Sequence, residues 1–244
     1  MGQIGNLETH KLKGSFGYSA VKLKDLGATE YTLVTIVIDR SGSVLCFKSE
    51  LTKCLKEIVQ ACKFSPRADN LLIRIVQFGD SVEEIHGFKL LSSINPDDYD
   101  NSIVIIGNTA LYDASANCVN ATVDYGAKLN EQDFAVNGIV FVLTDGCENA
   151  SVLGVKAVED ALKSAAKKEA MESLVSILVA VNMDDQTAAD ELNRFHKEAG
   201  FTQFVCLKDA SAKTLAKLAQ FVSKSISSQS QSLGSGAASQ PLTI

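Results

Sequence analysis

Several signals that assign proteins to a class are absent from this 244-residue chain. The longest apolar stretch, Leu174 to Val181, reaches about eight residues, well short of the ~20 that span a bilayer. Lys and Arg total 23 against 29 Asp and Glu, for a net charge of -6, and they form no basic stripe of the kind that contacts phosphates. The sequence therefore predicts a soluble chain that binds neither nucleic acid nor membrane.

Targeting and redox signals are equally sparse. The start has no basic flank followed by an apolar region, so we expect no secretory leader. Gly2 suits N-myristoylation, but Asn6 stands where that motif has Ser or Thr. The cysteines form no CxxC pair and have no closely spaced histidine, which argues against a metal cluster. We expect free thiols, with Cys46, Cys54 and Cys62 buried along one helix, and a reducing, cytoplasmic location.

Apolar, β-branched runs alternate with helical patterns along the chain. Hydrophobic residues make up 46% and charged residues 21%, which excludes a disordered chain, a collagen and a disulfide scaffold. Continuous runs predict strands covered on both faces, as in a parallel sheet. They are Tyr31–Ile38, Leu71–Phe78, Gly138–Thr144, Leu174–Val181 and Thr202–Leu207. The predicted fold class is α/β, a doubly wound, mostly parallel, Rossmann-like sheet flanked by helices.

Composition also divides the chain. We assign residues 1–29 to an N-terminal arm, in one interpretation a hairpin, and residues 30–227 to the α/β domain. Its last helix is predicted over Ala210–Ser227, and Ser81–Leu91 as a further strand at the sheet edge. Residues 228–244 are rich in Ser, Gln and Gly and predict a disordered tail.

Three separated segments place small oxygen-bearing side chains after a strand or at a helix start. They are 39–43, directly after the first long strand, 107–113, which opens a helix, and 144–146, which ends another strand. Ligands of doubly wound sheets collect beyond the carboxyl ends of the strands. The residues expected to converge there are Asp39, Ser41, Ser43, Thr109 and Asp145. Two carboxylates and three hydroxyls suit Mg²⁺, or alternatively Mn²⁺ or Ca²⁺, rather than soft metals.

Asp-x-Ser-x-Ser, Gly-Asn-Thr-Ala-Leu-Tyr-Asp and Thr-Asp-Gly, in this order, resemble the metal-ion-dependent adhesion site (MIDAS) of von Willebrand factor A (vWA) domains, over roughly residues 30 to 227. The resemblance implies that Ser41, Ser43 and Thr109 bind the metal directly or through water, with Asp39 and Asp145 as the carboxylates. It also implies Mg²⁺ whose free position takes a Glu or Asp from a protein partner. The implied function is an intracellular, non-enzymatic interaction module, with an AAA+ ATPase or a kinase or phosphatase module as a partner class, and with a last helix that shifts on occupancy.

Two other functions stay open at this stage. The first is a Mg²⁺-dependent phosphohydrolase of haloacid-dehalogenase-like type, although Ser41 stands where that motif needs a second Asp as general acid. The second is a structural subunit with a vestigial metal site, in which Asp39, Ser41 and Ser43 only cap the following helix. The isolated residues His10, His86 and His196 lie beside no candidate nucleophile, so no catalytic histidine is predicted.

Three single residues near the motifs, and one acidic cluster, carry expectations of their own. We expect the Arg40 side chain to point to solvent and Glu148 to be a solvated carboxylate at a helix start. Asp113 is expected to hydrogen-bond backbone near the site rather than to touch a metal. The acidic cluster Asp97, Asp98 and Asp100 is interpreted as a solvated loop rather than a second calcium site.

Overall fold

A computed structural model describes residues 7–12, 16–167, 171–233 and 242 of the chain. The strands are β1 (Leu7–Lys11), β2 (Gly17–Val21), β3 (Glu30–Asp39), β4 (Leu71–Phe78), β5 (Val82–Leu90), β6 (Ala135–Thr144), β7 (Leu174–Ala180) and β8 (Gln203–Cys206). The helices are α1 (Lys48–Lys63), α2 (Leu111–Asn130), α3 (Val155–Lys167), α4 (Gln186–Ala199) and α5 (Ala212–Ser232).

The strands form one mixed sheet in the order β1-β2-β5-β4-β3-β6-β7-β8. β3 pairs in parallel with β4 and β6, and β6, β7 and β8 continue the parallel part. β5 runs antiparallel to β4, and β2 joins β5 through the single pair Ala20 and Phe88. The doubly wound α/β prediction is confirmed, since the central strands are parallel and helices cover both faces.

Neighbouring residues of β3 point into opposite layers of the core, because side chains alternate along a strand. Ile36 belongs to the layer under α1 and α5, and Val37 to the layer under α2, α3 and α4. Both residues are fully buried. This double burial explains why the central strands appear in the sequence as continuous apolar runs.

The N-terminal residues form a hairpin that extends the sheet. β1 and β2 pair antiparallel, from Leu7 opposite Val21 to Lys11 opposite Gly17. β5 therefore lies inside the sheet, and the prediction that Ser81–Leu91 forms an edge strand is wrong. The apolar pattern of β5 does not reveal that a hairpin from the start of the chain will pair with this strand.

The last helix is longer than predicted. α5 continues to Ser232, with Gln229 and Ser230 buried, so the helix end at Ser227 and the tail boundary at 228 are both placed too early. The Gln229 side-chain amide donates to the Gly138 carbonyl at 3.1 Å and to Ser173 Oγ at 2.9 Å. Most of the predicted tail, 234–241 and 243–244, lies outside the described residues.

All six cysteines are free. Cys54 and Cys62 are buried in α1 as expected, but Cys46 is exposed in the 3₁₀ turn before that helix, which corrects the prediction for this thiol. Among the described residues, no helix is both long and apolar enough to cross a membrane.

Candidate metal centre

The first segment of the predicted site leaves the sheet at the carboxyl end of β3. The Asp39 side chain is only 2% exposed, and its two oxygens accept from the Ser41 backbone N–H at 2.8 Å and from Thr144 Oγ1 at 2.7 Å. Ser41 precedes the 3₁₀ turn Gly42–Phe47, yet its side chain makes no capping bond there. The helix-capping interpretation of Ser41 is therefore not what the structure contains.

The hydroxyls of this segment connect it to the carboxyl end of β6. Ser41 Oγ lies 3.1 Å from Ser43 Oγ, and Ser43 Oγ donates to Asp145 Oδ1 at 2.8 Å. A series of hydrogen bonds thus joins four of the predicted residues, Asp39, Ser41, Ser43 and Asp145. Its last bond connects Ser43 and Asp145, which are 102 positions apart in the sequence. Parallel pairing of β3 with β6 brings the two strand ends to the same edge of the sheet.

Thr109 reaches the same edge from the segment before α2. Its backbone N–H donates to Asn149 Oδ1 at 2.8 Å, and its carbonyl accepts from the Asn149 N–H at 3.1 Å. A Cβ built on Gly146 would lie 3.8 Å from Thr109 Oγ1, so the Thr109 hydroxyl faces the Gly146 backbone. The five predicted residues therefore gather at one edge of the sheet, four through direct hydrogen bonds and Thr109 through the segment 145–149.

The electrostatics of this cluster favour a bound cation. Burial raises the pKa of Asp39, against the hydrogen bonds from Thr144 and Ser41 that lower it. Burial, together with the negative charge of Asp39, raises the pKa of Asp145 to about 6. Two carboxylates that share a half-buried site repel each other, and a divalent ion would neutralise both.

The donor set fits a hard ion. All five side chains offer oxygen, which Mg²⁺, Mn²⁺ and Ca²⁺ prefer, and none offers the nitrogen or sulfur that softer metals favour. Within the described part of the chain, no group of three or more His, Cys, Asp or Glu side chains gathers as a metal cluster. The candidate centre contains only two carboxylates, so metal binding here would depend on its three hydroxyls.

Arg40 differs from its prediction. Its side chain is buried rather than solvated, and its guanidinium pairs with Glu83 at 2.6 Å. The Arg40 backbone donates to the Phe78 carbonyl and accepts from the Ile106 N–H, both at 2.9 Å. Arg40 therefore braces the first segment against β4, β5 and the 102–110 loop, and its charge is compensated by Glu83.

Glu148 also differs from its prediction. Instead of being solvated, it accepts from the Ala150 N–H at 2.7 Å, from Ser151 Oγ at 2.6 Å and from the Tyr112 N–H at 2.9 Å. Asp113 behaves as expected, since its carboxylate accepts from the backbone N–H groups of Val152 and Leu153 at 3.1 and 2.9 Å. These bonds fix the 145–153 loop to the first turn of α2, whose N–H groups lack partners within the helix.

Three supporting residues, Glu148, Asn149 and Ser151, were not among the predicted site residues. The one sequence feature that could have indicated their role is residue type, because Asn and Ser are typical helix-capping residues. Glu148 and Ser151 accept from N–H groups in the first turn of α2, and Asn149 accepts from the Thr109 N–H just before that helix. These partners come from a different segment of the chain, and sequence spacing does not indicate a partner so far away. His86 lies away from the site, where its Nε2 contacts the Tyr99 hydroxyl at 2.8 Å and burial lowers its pKa to about 4.

The acidic cluster at 97–100 is exposed, as expected, but it has a basic partner. Lys56 Nζ lies 2.8 Å from Asp97 and 2.9 Å from Asp100. This ion-pair network is on the surface beside α1.

The sequence profile of the von Willebrand factor type A domain matches residues 34–223. The chain belongs to this family. Solved structures similar to this vWA domain include the PilB minor pilin from Streptococcus sanguinis, with 14% identity and a TM-score of 0.56 over 82% of this chain and 62% of that chain. The pilus adhesin SpaC from Lactobacillus rhamnosus GG has 8% identity and a TM-score of 0.60 over 93% and 36% of the two chains.

A third similar structure is proximal thread matrix protein 1 from the mussel byssus with a zinc-occupied MIDAS motif, at 18% identity and a TM-score of 0.53 over 82% of this chain and 46% of that chain. The vWA chain spans less than two thirds of each of these three proteins. At such identities the likeness concerns the fold alone. No curated protein sequence matches the chain. vWA domains are in many cases protein-interaction modules and are generally not enzymes.

Proposed function

We propose that this vWA domain holds a divalent cation, Mg²⁺ or a similarly hard ion, at a MIDAS formed by Asp39, Ser41, Ser43, Thr109 and Asp145. The ion recruits an Asp or Glu carboxylate from a protein partner. The observation that carries the proposal is the hydrogen-bonded series from Asp39 through Ser41 and Ser43 to Asp145 at the carboxyl edge of the sheet.

Residues around the proposed cation site hold its ligands in position. Thr144 and the Ser41 backbone hold the Asp39 carboxylate in place, and the Asn149 amide holds the backbone of Thr109. Bound Mg²⁺ supplies a Lewis-acidic position that accepts an outside oxygen ligand, because two protein carboxylates leave part of its coordination shell to water. A byssus protein of the same fold has been solved with zinc at this motif, which supports the location.

The compartment and the partner class belong to the same proposal. Cys46 and Cys206 are exposed free thiols, which suits a reducing, cytoplasmic setting. A partner such as an AAA+ ATPase or a kinase or phosphatase module rests on family-level analogy.

Metal binding is tested first, by isothermal titration of the chelator-treated chain with MgCl₂, MnCl₂ and CaCl₂. We expect one site per chain in the wild type and its loss in the double variant Asp39→Ala/Asp145→Ala. The matched control is Asp69→Ala, which removes an exposed carboxylate at the opposite end of the sheet, before β4. If the double variant keeps its fold and binds the ion as the wild type does, the proposed site is wrong.

Carboxylate recruitment is tested next, by affinity capture with Mg²⁺ and with EDTA. A partner retained only by the wild type and the Asp69→Ala control, and only with metal, supports the proposal. Capture that ignores both the chelator and the double variant identifies a structural subunit with a vestigial site instead.

A further inference from the structure

Four exposed apolar side chains lie on the same three segments that carry the candidate metal ligands. We call this set the apolar rim: Leu45, Val104, Ile106 and Val152, with exposed fractions of 66%, 54%, 53% and 93%. Leu45 follows Ser43 by two positions, Val104 and Ile106 precede Thr109, and Val152 follows Asp145 in the 145–153 loop. Single exposed apolar residues are ordinary, but a group around one site marks a contact surface.

The rim is held in place by the hydrogen bonds of the site itself. The Ile106 N–H donates to the Arg40 carbonyl at 2.9 Å, and the Gly42 N–H donates to the Gly107 carbonyl at 3.4 Å. The Val152 N–H donates to Asp113 Oδ2 at 3.1 Å. These side chains are therefore presented on an anchored backbone, although the fold does not bury them.

Charge at the rim limits the kind of partner that fits. The segments 40–46, 102–110 and 145–153 contain three charged residues, Arg40, Asp145 and Glu148. Arg40 is buried against Glu83, and Glu148 is hydrogen-bonded within its own loop. Asp80 adds a further negative charge where it accepts from Asn108. A run of acidic residues would find repulsion here and no lysine or arginine of these segments left to pair with it.

We infer that the partner of this site presents a single Asp or Glu flanked by apolar side chains, which pack on the apolar rim while the carboxylate reaches the metal. This inference rests on the proposed function. With the charges of Asp39 and Asp145 balanced by the divalent ion, the partner brings one negative charge to a rim that otherwise offers apolar contact.

The test uses a bead-displayed heptapeptide library with Glu fixed at the centre and random flanking positions, selected against the full chain in Mg²⁺. We expect Leu, Ile, Val, Phe and Met to be enriched beside Glu, and Asp and Glu to be depleted. For a selected peptide, the double variant Ile106→Ser/Val152→Ser should lower affinity by about tenfold or more, as for lost apolar contacts in a binding pocket. Phe64→Ser is the matched control, because Phe64 is 80% exposed at the far end of α1.

The outcomes separate this inference from the proposed function. Titration with Mg²⁺ alone checks that the rim variant keeps its ion; absence of any ion binding in the wild type would overturn the proposed function. If the ion binds, but the selected peptides show no apolar flank preference or favour acidic flanks, the inference is wrong and the proposed function stands. If the ion binds but no Glu peptide is retained, both the inference and the recruitment of a carboxylate are wrong, and only the metal site stands. Equal peptide affinity of the rim variant and the wild type also overturns it.

Discussion

At the scale of single residues, the two carboxylates decide how the site behaves without its ion. Asp39 is buried and its charge is supported by hydrogen bonds from Thr144 and the Ser41 backbone, whereas Asp145 is less buried and accepts from Ser43 Oγ. Arg40, the cation nearest in sequence, is paired with Glu83. Asp145 is therefore the group whose protonation competes most directly with metal binding.

The first prediction concerns pH. The pKa of Asp145 in the folded chain is about 6, above its ordinary value of 3.8, so the folded state binds this proton more tightly than the unfolded state. Stability of the metal-free chain should therefore fall as the pH rises from about 4 through 6, by on the order of 1–2 kcal/mol after solvent screening of the partly exposed group. Mg²⁺ should restore the loss at pH 7.5 and have little effect at pH 5.

Urea denaturation at pH 5 and pH 7.5, each with and without Mg²⁺, measures both effects. The comparison variant is Asp145→Asn, which keeps an oxygen for the Ser43 hydroxyl but has no titrating proton. The raised pKa of Asp39 remains in this variant, so the loss between the two pH values should be smaller than in the wild type, and the rescue by Mg²⁺ should disappear. Identical pH and Mg²⁺ responses in the variant and the wild type would contradict the assignment.

Residue types after the strands, together with the family resemblance, predicted that five side chains converge at the candidate site. The structure joins four of them by hydrogen bonds and brings Thr109 to the same edge, and their role as metal ligands stays a prediction. Residue types were not enough for Arg40 or Glu148, because the partners that decide the direction of these side chains are distant in sequence. Glu83 lies on β5, and Tyr112 begins α2. A charged side chain next to a motif is expected in solvent unless a distant partner is known, and one sequence does not reveal that partner.

At the scale of elements, the β1–β2 hairpin depends on side chains for its attachment. β2 meets β5 at one backbone pair, and Glu84 of β5 accepts from the Ser19 backbone and hydroxyl and from Arg74 Nε at 2.6 Å. Arg74 is 1% exposed and also donates to Asn117 Oδ1. Glu84 therefore compensates a buried guanidinium and anchors the hairpin at once.

The second prediction follows from this double role. Glu84→Gln leaves the Arg74 charge buried without a counter-charge, which typically costs about 3–5 kcal/mol of unfolding free energy. Hydrogen exchange in residues 17–21 should accelerate as well. The control is Glu159→Gln, whose partners Lys156 and Lys163 are exposed, and its effect on urea denaturation should be far smaller. A Glu84→Gln loss as small as that of the control would show that the hairpin is held by other contacts.

The third prediction concerns the end of α5. Gln229→Ala removes the amide that donates to the Gly138 carbonyl and to Ser173 Oγ in the buried core, with an expected cost of about 1–3 kcal/mol. Gln220→Ala, on the exposed face of the same helix, should change stability by less than about 0.5 kcal/mol. Equal effects in urea denaturation would mean that the last turns of α5 contribute little.

The same helix shows why its end was predicted too early. The sequence after Ile226 is Ser and Gln, a composition that indicates solvent or disorder when no partner is known. In the structure, Gln229 is satisfied by groups of β6 and of the segment before β7, so a polar side chain is buried without an orphaned amide N–H. By contrast, Leu71–Phe78 was predicted with the bounds it has, because apolar residues form both of its ends and most of its length, with Arg74 and Gln77 the polar exceptions.

At the scale of the whole molecule, parallel pairing is what turns three distant motifs into one site. β3 and β6 lie side by side, so the segments after Asp39 and Thr144 leave the sheet at the same edge, and the segment before α2 joins them through Asn149. The apolar rim lies on the same segments. An ion at this edge would therefore add a direct link between loops that hydrogen bonds already join, while the opposite end of the sheet has no part in the site.

The last prediction is that the effect of the metal stays local. Hydrogen exchange in saturating Mg²⁺ should slow by up to about a hundredfold in residues 40–47, 105–110 and 144–151, as expected for an ion at a hundred times its dissociation constant. Exchange in 64–70, at the opposite end, should not change. α5 should also be unaffected, because Ser211 caps its start and Gln229 fixes its end to β6. A metal-dependent change in 212–232 would instead support the shifting last helix that the family resemblance implies, and it would refute the argument that α5 is held at both ends.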